Sequence, residues 1–253
     1  MKYLVFFMSI AFSMNGFDLV AQEMITDRPD QTESSSTVFK GSFQIESGLL
    51  LGFSDESKSS VRTILAPTTL FRVGLTRGIE LRVVTQYEQL HFEKKDFDVK
   101  GFADLEVGTK IQLLRPTDGR NIEVAFLTHL IIPSGSSGLT NDAYGSVNKL
   151  AISHTLTENL GLGYNVGYNY LGEGQGDLTY SMALGLGMTS RLSVYAEAYG
   201  EVIDMSDNEL NMDMGLTYLV KENVQLDWSF GTGINHEMNY MSVGVSWNIR
   251  KSE

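Results

Sequence analysis

Polar and apolar residues alternate along the end of the chain, from Tyr240 to Ile249. One parity carries small or polar side chains: Tyr240, Ser242, Gly244, Ser246 and Asn248. The other parity is apolar: Met241, Val243, Val245, Trp247 and Ile249. A period of two predicts a β-strand with one apolar face. Because the same alternation recurs from Gly41 onward, the sequence predicts an all-β fold.

The alternating segments predict about 12 strands of roughly 10 to 14 residues, long enough to cross a bilayer when tilted. Short turns, such as Thr157-Glu158-Asn159, alternate along the chain with longer acidic or glycine-rich loops, the longest being 134–146. Short turns at one end, longer loops at the other and an even strand number are typical of outer-membrane barrels. We therefore predict a transmembrane antiparallel up-and-down β-barrel over residues 41–250.

A soluble β-sandwich also alternates, so the direction of the apolar face needs separate arguments. Glycines recur on the polar parity, for example Gly161, Gly163 and Gly167, where a strongly coiled sheet is crowded. Aromatic residues share the apolar parity, as in an interfacial girdle. We therefore expect the apolar face to meet lipid. Hydrocarbon offers no hydrogen bonds to backbone N–H and C=O groups, so the sheet must close and leave no unpaired edge. The first strand, near Phe43, must therefore pair with the last, near Trp247.

The first residues predict export. Lys2 precedes an apolar run over 3–12, and Leu19-Val20-Ala21 offers a cleavage site. We predict a signal peptide over 1–21, cleaved near Ala21, and delivery to the outer membrane of a Gram-negative-type envelope. The chain has no Cys, so its stability cannot come from disulfides. Its net charge of −12 argues against nucleic acid. The expected partners are outer-membrane lipid, the barrel-assembly machinery and an unidentified small solute.

Residues 22–40 are polar and have no useful period. Two interpretations of this N-terminal segment stay open. It folds into the lumen as a plug, where Asp27, Arg28 and Asp30 meet charges of the wall, or it forms a periplasmic tail.

The polar parity of the barrel carries the candidate lumen-lining residues: Glu46, Arg62, Arg72, Glu80, Arg82, Asp104, Glu106, Lys110, Glu123, Glu197, Asp213 and Asp227. They predict either a lumen that selects solutes by charge and width or a network of paired charges that fills a narrow interior. Eight strands leave a filled interior and 16 to 18 leave a channel, so about 12 strands predict a restricted or plugged pore.

Two resemblances accompany these patterns. Ser242, Gly244, Trp247 and Ile249 occupy the positions of a C-terminal signal that resembles the assembly signal of bacterial outer-membrane barrels. The segments ITDRPDQTESS, GFADLEVGTKIQLL and LIIPSG resemble the outer-membrane channels grouped as "MetA-pathway of phenol degradation". The most specific run is carried by Gly101, Asp104, Leu105, Gly108 and Lys110. The resemblance implies a passive transporter of small solutes, with a link to aromatic or other small compounds.

Two other functional classes remain as alternatives: a closed structural or adhesion barrel, and an outer-membrane hydrolase. No GxSxG motif occurs, and no histidine has a serine two residues away on its own strand. The acidic group Asp204, Asp207 and Glu209 lacks the ligand spacing of a calcium loop, which favours a solvated loop. We therefore predict that the protein is not an enzyme and that it holds no cofactor and no metal.

Overall fold

The computed structural model describes residues 24–56, 59–117 and 121–249, so the predicted signal peptide lies outside the described residues. The chain forms 13 strand segments: β1 Phe43–Glu56, β2 Ser59–Thr76, β3 Ile79–Phe92, β4 Phe97–Phe102, β5 Leu105–Leu114, β6 Ile122–Ile132, β7 Gly145–Thr155, β8 Leu160–Tyr170, β9 Asp177–Gly187, β10 Leu192–Ile203, β11 Asp207–Lys221, β12 Val224–Gly233 and β13 Glu237–Ile249. Within the described ranges, no helix is long and apolar enough to cross a membrane.

The strands form one closed antiparallel barrel. Consecutive segments β4 and β5 both pair with β3, so they are two parts of one broken strand, and the 13 segments make a 12-stranded wall. β1 pairs with β13, with Phe43 opposite Ile249 and Ile45 opposite Trp247. The predicted barrel and its closing strand pair are therefore confirmed.

The apolar parity faces outward around the barrel. Val166, Met182 and Trp247 are exposed by 53%, 54% and 47% of their surface, whereas Arg72 and Glu80 are fully buried on the opposite face. An apolar exterior around a charged interior is the arrangement that a bilayer stabilises. The predicted direction of the two faces is therefore confirmed.

The two ends of the barrel differ. The connections 77–78, 156–159, 188–191 and 222–223 lie at the end where β1 begins and β13 ends, here called the turn end. The opposite end, here called the loop end, carries the connections 93–96, 133–144, 171–176, 204–206 and 234–236. The two series that the sequence predicted thus lie at opposite ends.

A bulge in β2 changes which side chains face inward. The pairing with β1 and β3 shifts between Leu65 and Thr68, around Ala66-Pro67. Because a proline has no N–H to donate to the ladder, it is accommodated in a strand at such a bulge. One-residue shifts reverse the faces of a strand. Leu65 therefore faces inward, and the prediction that Arg62 lines the lumen is wrong, since Arg62 pairs with the outward Phe53.

Residues 24–40, here called the lumen segment, run inside the barrel and return to the turn end. There the Gly41 amide donates to the carbonyl of Gly74 (2.8 Å), and the Gly74 amide donates to Ser42 (3.0 Å), which joins the segment to the start of β1. A Cβ on Gly74 would overlap the Phe39 carbonyl, so only glycine leaves room for the chain to enter the lumen here.

Candidate functional site

The Asp27 carboxylate of the lumen segment lies among three cations of the barrel wall. Lys110 Nζ approaches Asp27 Oδ1 at 2.8 Å, Arg72 Nη1 approaches Oδ2 at 3.1 Å, and Arg82 Nη1 also contacts Oδ2. All four side chains are almost completely buried. A buried charge is costly unless it is paired, so each of these groups depends on the others.

Further carboxylates complete this ion cluster. Glu46 and Glu80 bind Arg72 at 2.8 and 2.9 Å, and Glu33 of the lumen segment binds Arg82 at 2.9 Å. Glu46 also accepts hydrogen bonds from the backbone amides of Asp27 (2.8 Å) and Arg28 (3.1 Å). The cluster therefore fixes both the side chains and the main chain of the lumen segment.

Arg28 binds at a second site, on the neighbouring strands β12 and β13. Its guanidinium binds Asp227 Oδ1 at 2.9 Å and Ser242 Oγ at 2.9 Å. Gly48 and Gly244 are paired across β1 and β13, and a Cβ on either one would overlap this guanidinium. The two glycines thus create the space in which Arg28 lies.

The rest of the lumen segment is held by carboxylates and hydroxyls. The Gln31 amide donates to Glu197 Oε2 at 2.7 Å, Ser35 Oγ donates to Glu123 at 3.0 Å, and the Val38 amide donates to Glu80 at 2.7 Å. Asp30 differs, because the carboxylates of Glu197, Asp213 and Asp27 act on its own carboxylate by like-charge repulsion. The segment is therefore bound along its length, with Asp30 as its electrostatically least favourable residue.

All but two of the charged lumen candidates face inward. Most of them are fully or nearly fully buried: Glu46, Arg72, Glu80, Arg82, Lys110, Glu197, Asp213 and Asp227. Glu123 contacts the lumen segment, and Glu106 binds His129 Nδ1 at 2.8 Å. Arg62 lies on the outer face, as described above. Asp104 lies in the break between β4 and β5 and bonds to the loop 133–144, so the prediction that it lines the lumen is corrected as well.

Asp104 organises the loop end instead. Its carboxylate accepts hydrogen bonds from the amides of Ser134 (3.0 Å), Gly135 (2.8 Å) and Asn141 (3.4 Å). Burial raises the pKa of the Asp104 carboxyl, but hydrogen bonds from the Thr140 hydroxyl and these amides outweigh it and lower the pKa. Because the pKa of Asp104 is lower in the folded protein, its carboxylate stabilises the loop fully at a pH above the usual pKa of Asp. This stability is lost as the pH falls through the pKa of the folded protein.

We expect Asp104→Ala to loosen the loop 133–144 without opening the barrel. The amides that Asp104 accepts from would then bond only to water, so limited proteolysis should cut this loop faster at neutral pH. Glu173→Ala, in the loop 171–176, is the control and should leave cleavage of 133–144 unchanged. Equal cleavage in wild type and Asp104→Ala would contradict the assignment of Asp104 to loop stabilisation.

Cavities remain on both sides of the lumen segment. On the loop side lies a vestibule of about 400 Å³ whose floor is formed by Asp27 to Gln31 and Glu33. On the turn side lies a cavity of about 590 Å³. Arg28, Pro29 and Asp30 line both cavities, so these residues form the thinnest part of the barrier between them.

One wall of the vestibule is apolar, which the sequence patterns did not predict. Four side chains from β1, β2 and β3 form this apolar wall: Leu50, Leu65, Leu70 and Val84. Leu50 and Leu65 are direct cross-strand partners, and so are Leu70 and Val84. Leu50, Leu70 and Val84 share the inward parity of their strands. The signal that could have revealed Leu65 was Pro67 inside a strand, because a bulge there turns Leu65 inward.

The candidate C-terminal signal divides between the two faces of β13. Ser242 faces the lumen and is 5% exposed, and Gly244 lies against Arg28, whereas Trp247 and Ile249 face outward. The inward half therefore contacts the lumen segment. A role of these residues in assembly stays a prediction.

The comparisons with known proteins agree with this architecture. The family model described as "Putative MetA-pathway of phenol degradation" matches residues 26–250. The crystal structure of an outer membrane channel from Pseudomonas putida F1 is similar, with a TM-score of 0.72, 11% identity and coverage of 85% of this chain and 98% of that one. The KdgM porin in complex with disordered oligogalacturonate has a TM-score of 0.56, 11% identity and coverage of 81% and 98%. No curated protein matches the chain. At such identities the structural likeness shows the fold.

Proposed function

The chain belongs to the family described as "Putative MetA-pathway of phenol degradation", and from that premise we propose that it is an outer-membrane channel for the passive passage of small solutes, including aromatic or hydrophobic compounds. The vestibule is the observation that carries the proposal. Its mixed lining gives a small molecule both hydrogen-bonding groups and an apolar surface before it meets the lumen segment. Few apolar side chains are expected in a lumen that serves only ions and water.

Orientation follows from the barrel ends. In outer-membrane barrels the short turns are periplasmic and the longer loops external, so the vestibule opens to the outside and the turn-side cavity opens to the periplasm. In this proposal, residues 1–21 direct export and are cleaved near Ala21, the assembly machinery recognises β13, and lipid surrounds the apolar exterior. The inward charged residues then act as a filter for the charge of the solute.

Liposome swelling with the purified, refolded protein tests the function. We expect swelling with glucose and with ionised aromatic acids such as 4-hydroxybenzoate, and none with a trisaccharide. Leu65→Asn should slow passage of the aromatic acid more than passage of glucose, because it removes part of the apolar wall. Leu90→Asn is the matched control, since Leu90 shares the inward parity but does not line the vestibule.

Occlusion by the lumen segment favours one competing function, a closed structural or adhesion barrel. The two proposals separate in the same experiment, because a closed barrel permits no swelling with any solute. Failure of every solute to enter liposomes that contain folded protein would therefore overturn the channel proposal.

As part of the channel proposal, we propose that the protein is not an enzyme. The described histidines bond to groups other than serine: His129 to Arg82 and Glu106, His91 to Asp98, His154 to Tyr164, and His236 to Asn235. Such pairs lack the nucleophile of a hydrolase triad. Within the described ranges, no cluster of three or more acidic or histidine side chains could hold a metal ion. Release of fatty acids from phospholipid by the pure protein would overturn this part of the proposal.

A further inference from the structure

A pocket of about 240 Å³ lies beside the vestibule, between the lumen segment and the wall formed by β7 to β11. Its lining follows the strand register. Four inward residues form one continuous cross-strand row: Asn165, Ser181, Tyr199 and Asn211. The adjacent row contains Lys149, Gly167, Thr179 and Glu201. The pocket is therefore formed by paired strands of the barrel wall rather than by a gap between loops.

The lining of this side pocket consists largely of groups that both donate and accept hydrogen bonds. Amides come from Gln31, Asn165, Asn169 and Asn211, and hydroxyls come from Thr179, Ser181 and Tyr199. A sugar hydroxyl likewise donates and accepts, so neighbouring hydroxyls of a sugar ring match such a surface. A single cation, Lys149, and a single carboxylate, Glu201, leave this lining without a strong charge preference.

Two side-chain oxygens of the side pocket lack partners. Asn169 Oδ1 and Asn211 Oδ1 are buried and accept no hydrogen bond within the described residues. The whole Asn211 residue is only 6% exposed. Asn165 is different, because in the amide orientation that gives both of its side-chain atoms a partner, its oxygen accepts from the Glu33 N–H and its nitrogen donates to the Glu33 carbonyl, which helps to hold the lumen segment. A buried acceptor without a donor costs free energy, and a ligand hydroxyl would supply that donor.

The side pocket and the vestibule are adjacent, since Gln31, Lys149 and Asn169 line both. A solute that extends from the side pocket into the vestibule would contact the amides at one end and the apolar wall of Leu50, Leu65, Leu70 and Val84 at the other. We infer that the side pocket binds a sugar ring, and that the solute class of the channel is a small glycoside whose apolar aglycone rests on the apolar wall. This inference rests on the proposed channel function and names its solute.

Equilibrium binding to the detergent-solubilised full-length protein tests the inference without any need for transport. Calorimetric titration should show that phenyl β-D-glucopyranoside binds more tightly than either glucose or benzyl alcohol. Asn211→Ala should weaken binding of the glucoside about fivefold to tenfold, as expected for one or two neutral hydrogen bonds, and should leave binding of benzyl alcohol unchanged. Leu65→Asn should weaken binding of both. Asn121→Ala, at the turn end, is the matched amide control and should change neither.

Equal affinity for the glucoside and benzyl alcohol would overturn the inference, and so would an unchanged glucoside affinity in Asn211→Ala. Misfolding is separated from loss of binding by the unchanged benzyl alcohol affinity of that variant. The same glucoside in the swelling assay distinguishes the two proposals. Passage of glucose without binding of the glucoside would contradict only the glycoside inference. Binding of the glucoside without passage of any solute would contradict the channel function.

Discussion

Deletion of residues 24–38 should raise the single-channel conductance in planar bilayers several-fold. These residues separate the vestibule from the turn-side cavity, and the barrel wall itself is closed without them. The deletion removes three carboxylates, those of Asp27, Asp30 and Glu33, together with the Arg28 guanidinium. The lumen then becomes more positive by two charges, so the reversal potential in a salt gradient should shift towards anion selectivity.

Folding of the deletion variant is verified by its heat-modifiable migration in gels and its β-sheet circular dichroism. The cations Arg72 and Lys110 lose Asp27, but the opened lumen admits water, so the barrel can remain folded with a lower midpoint of denaturation. Asp27→Asn offers a smaller perturbation and should produce brief openings, since it removes only the charge shared by the three cations. A folded deletion variant with wild-type conductance would show that the lumen segment does not restrict the pore.

The alternation of side chains was sufficient to predict the barrel, its closing strands and the direction of its faces. A bilayer and a lumen impose opposite polarities on successive residues, so each strand records its own orientation in the sequence. Parity fails where a strand loses its register. Arg62 was assigned to the wrong face because the shift at Ala66-Pro67 lies between it and Arg72, and Leu65 was missed for the same reason.

The contacts of the lumen segment could not be predicted from the sequence. Asp27 meets Arg72, Arg82 and Lys110, which come from three different strands, and no periodicity specifies which of the many wall charges will meet. Asp104 shows a different limit. Its polar parity is compatible with the lumen, but the strand is interrupted at that point, and a short carboxylate beside free loop amides accepts their hydrogen bonds instead.

Gly244→Ala should release Arg28 from its site on β12 and β13 and increase both the mean conductance and the frequency of current fluctuations. The new methyl group would occupy the position of the guanidinium, which is the flexible end of a long side chain, so Arg28 moves and the backbone does not. Asp227 then remains buried without its ion pair, which lowers the stability of the plugged state. Gly185→Ala is the matched control, because a Cβ on this glycine of β9 would meet nothing within 4 Å.

A double-mutant cycle separates this effect from a role of Gly244 in assembly. If the glycine serves only to make room for Arg28, then Gly244→Ala should change neither conductance nor assembly yield in an Arg28→Ala background. The two single variants should then resemble each other in their current records, since both leave Asp227 and Ser242 without the guanidinium. An assembly yield that falls equally in both backgrounds would instead assign Gly244 to the C-terminal signal. It would also show that Gly244 does not determine where Arg28 lies.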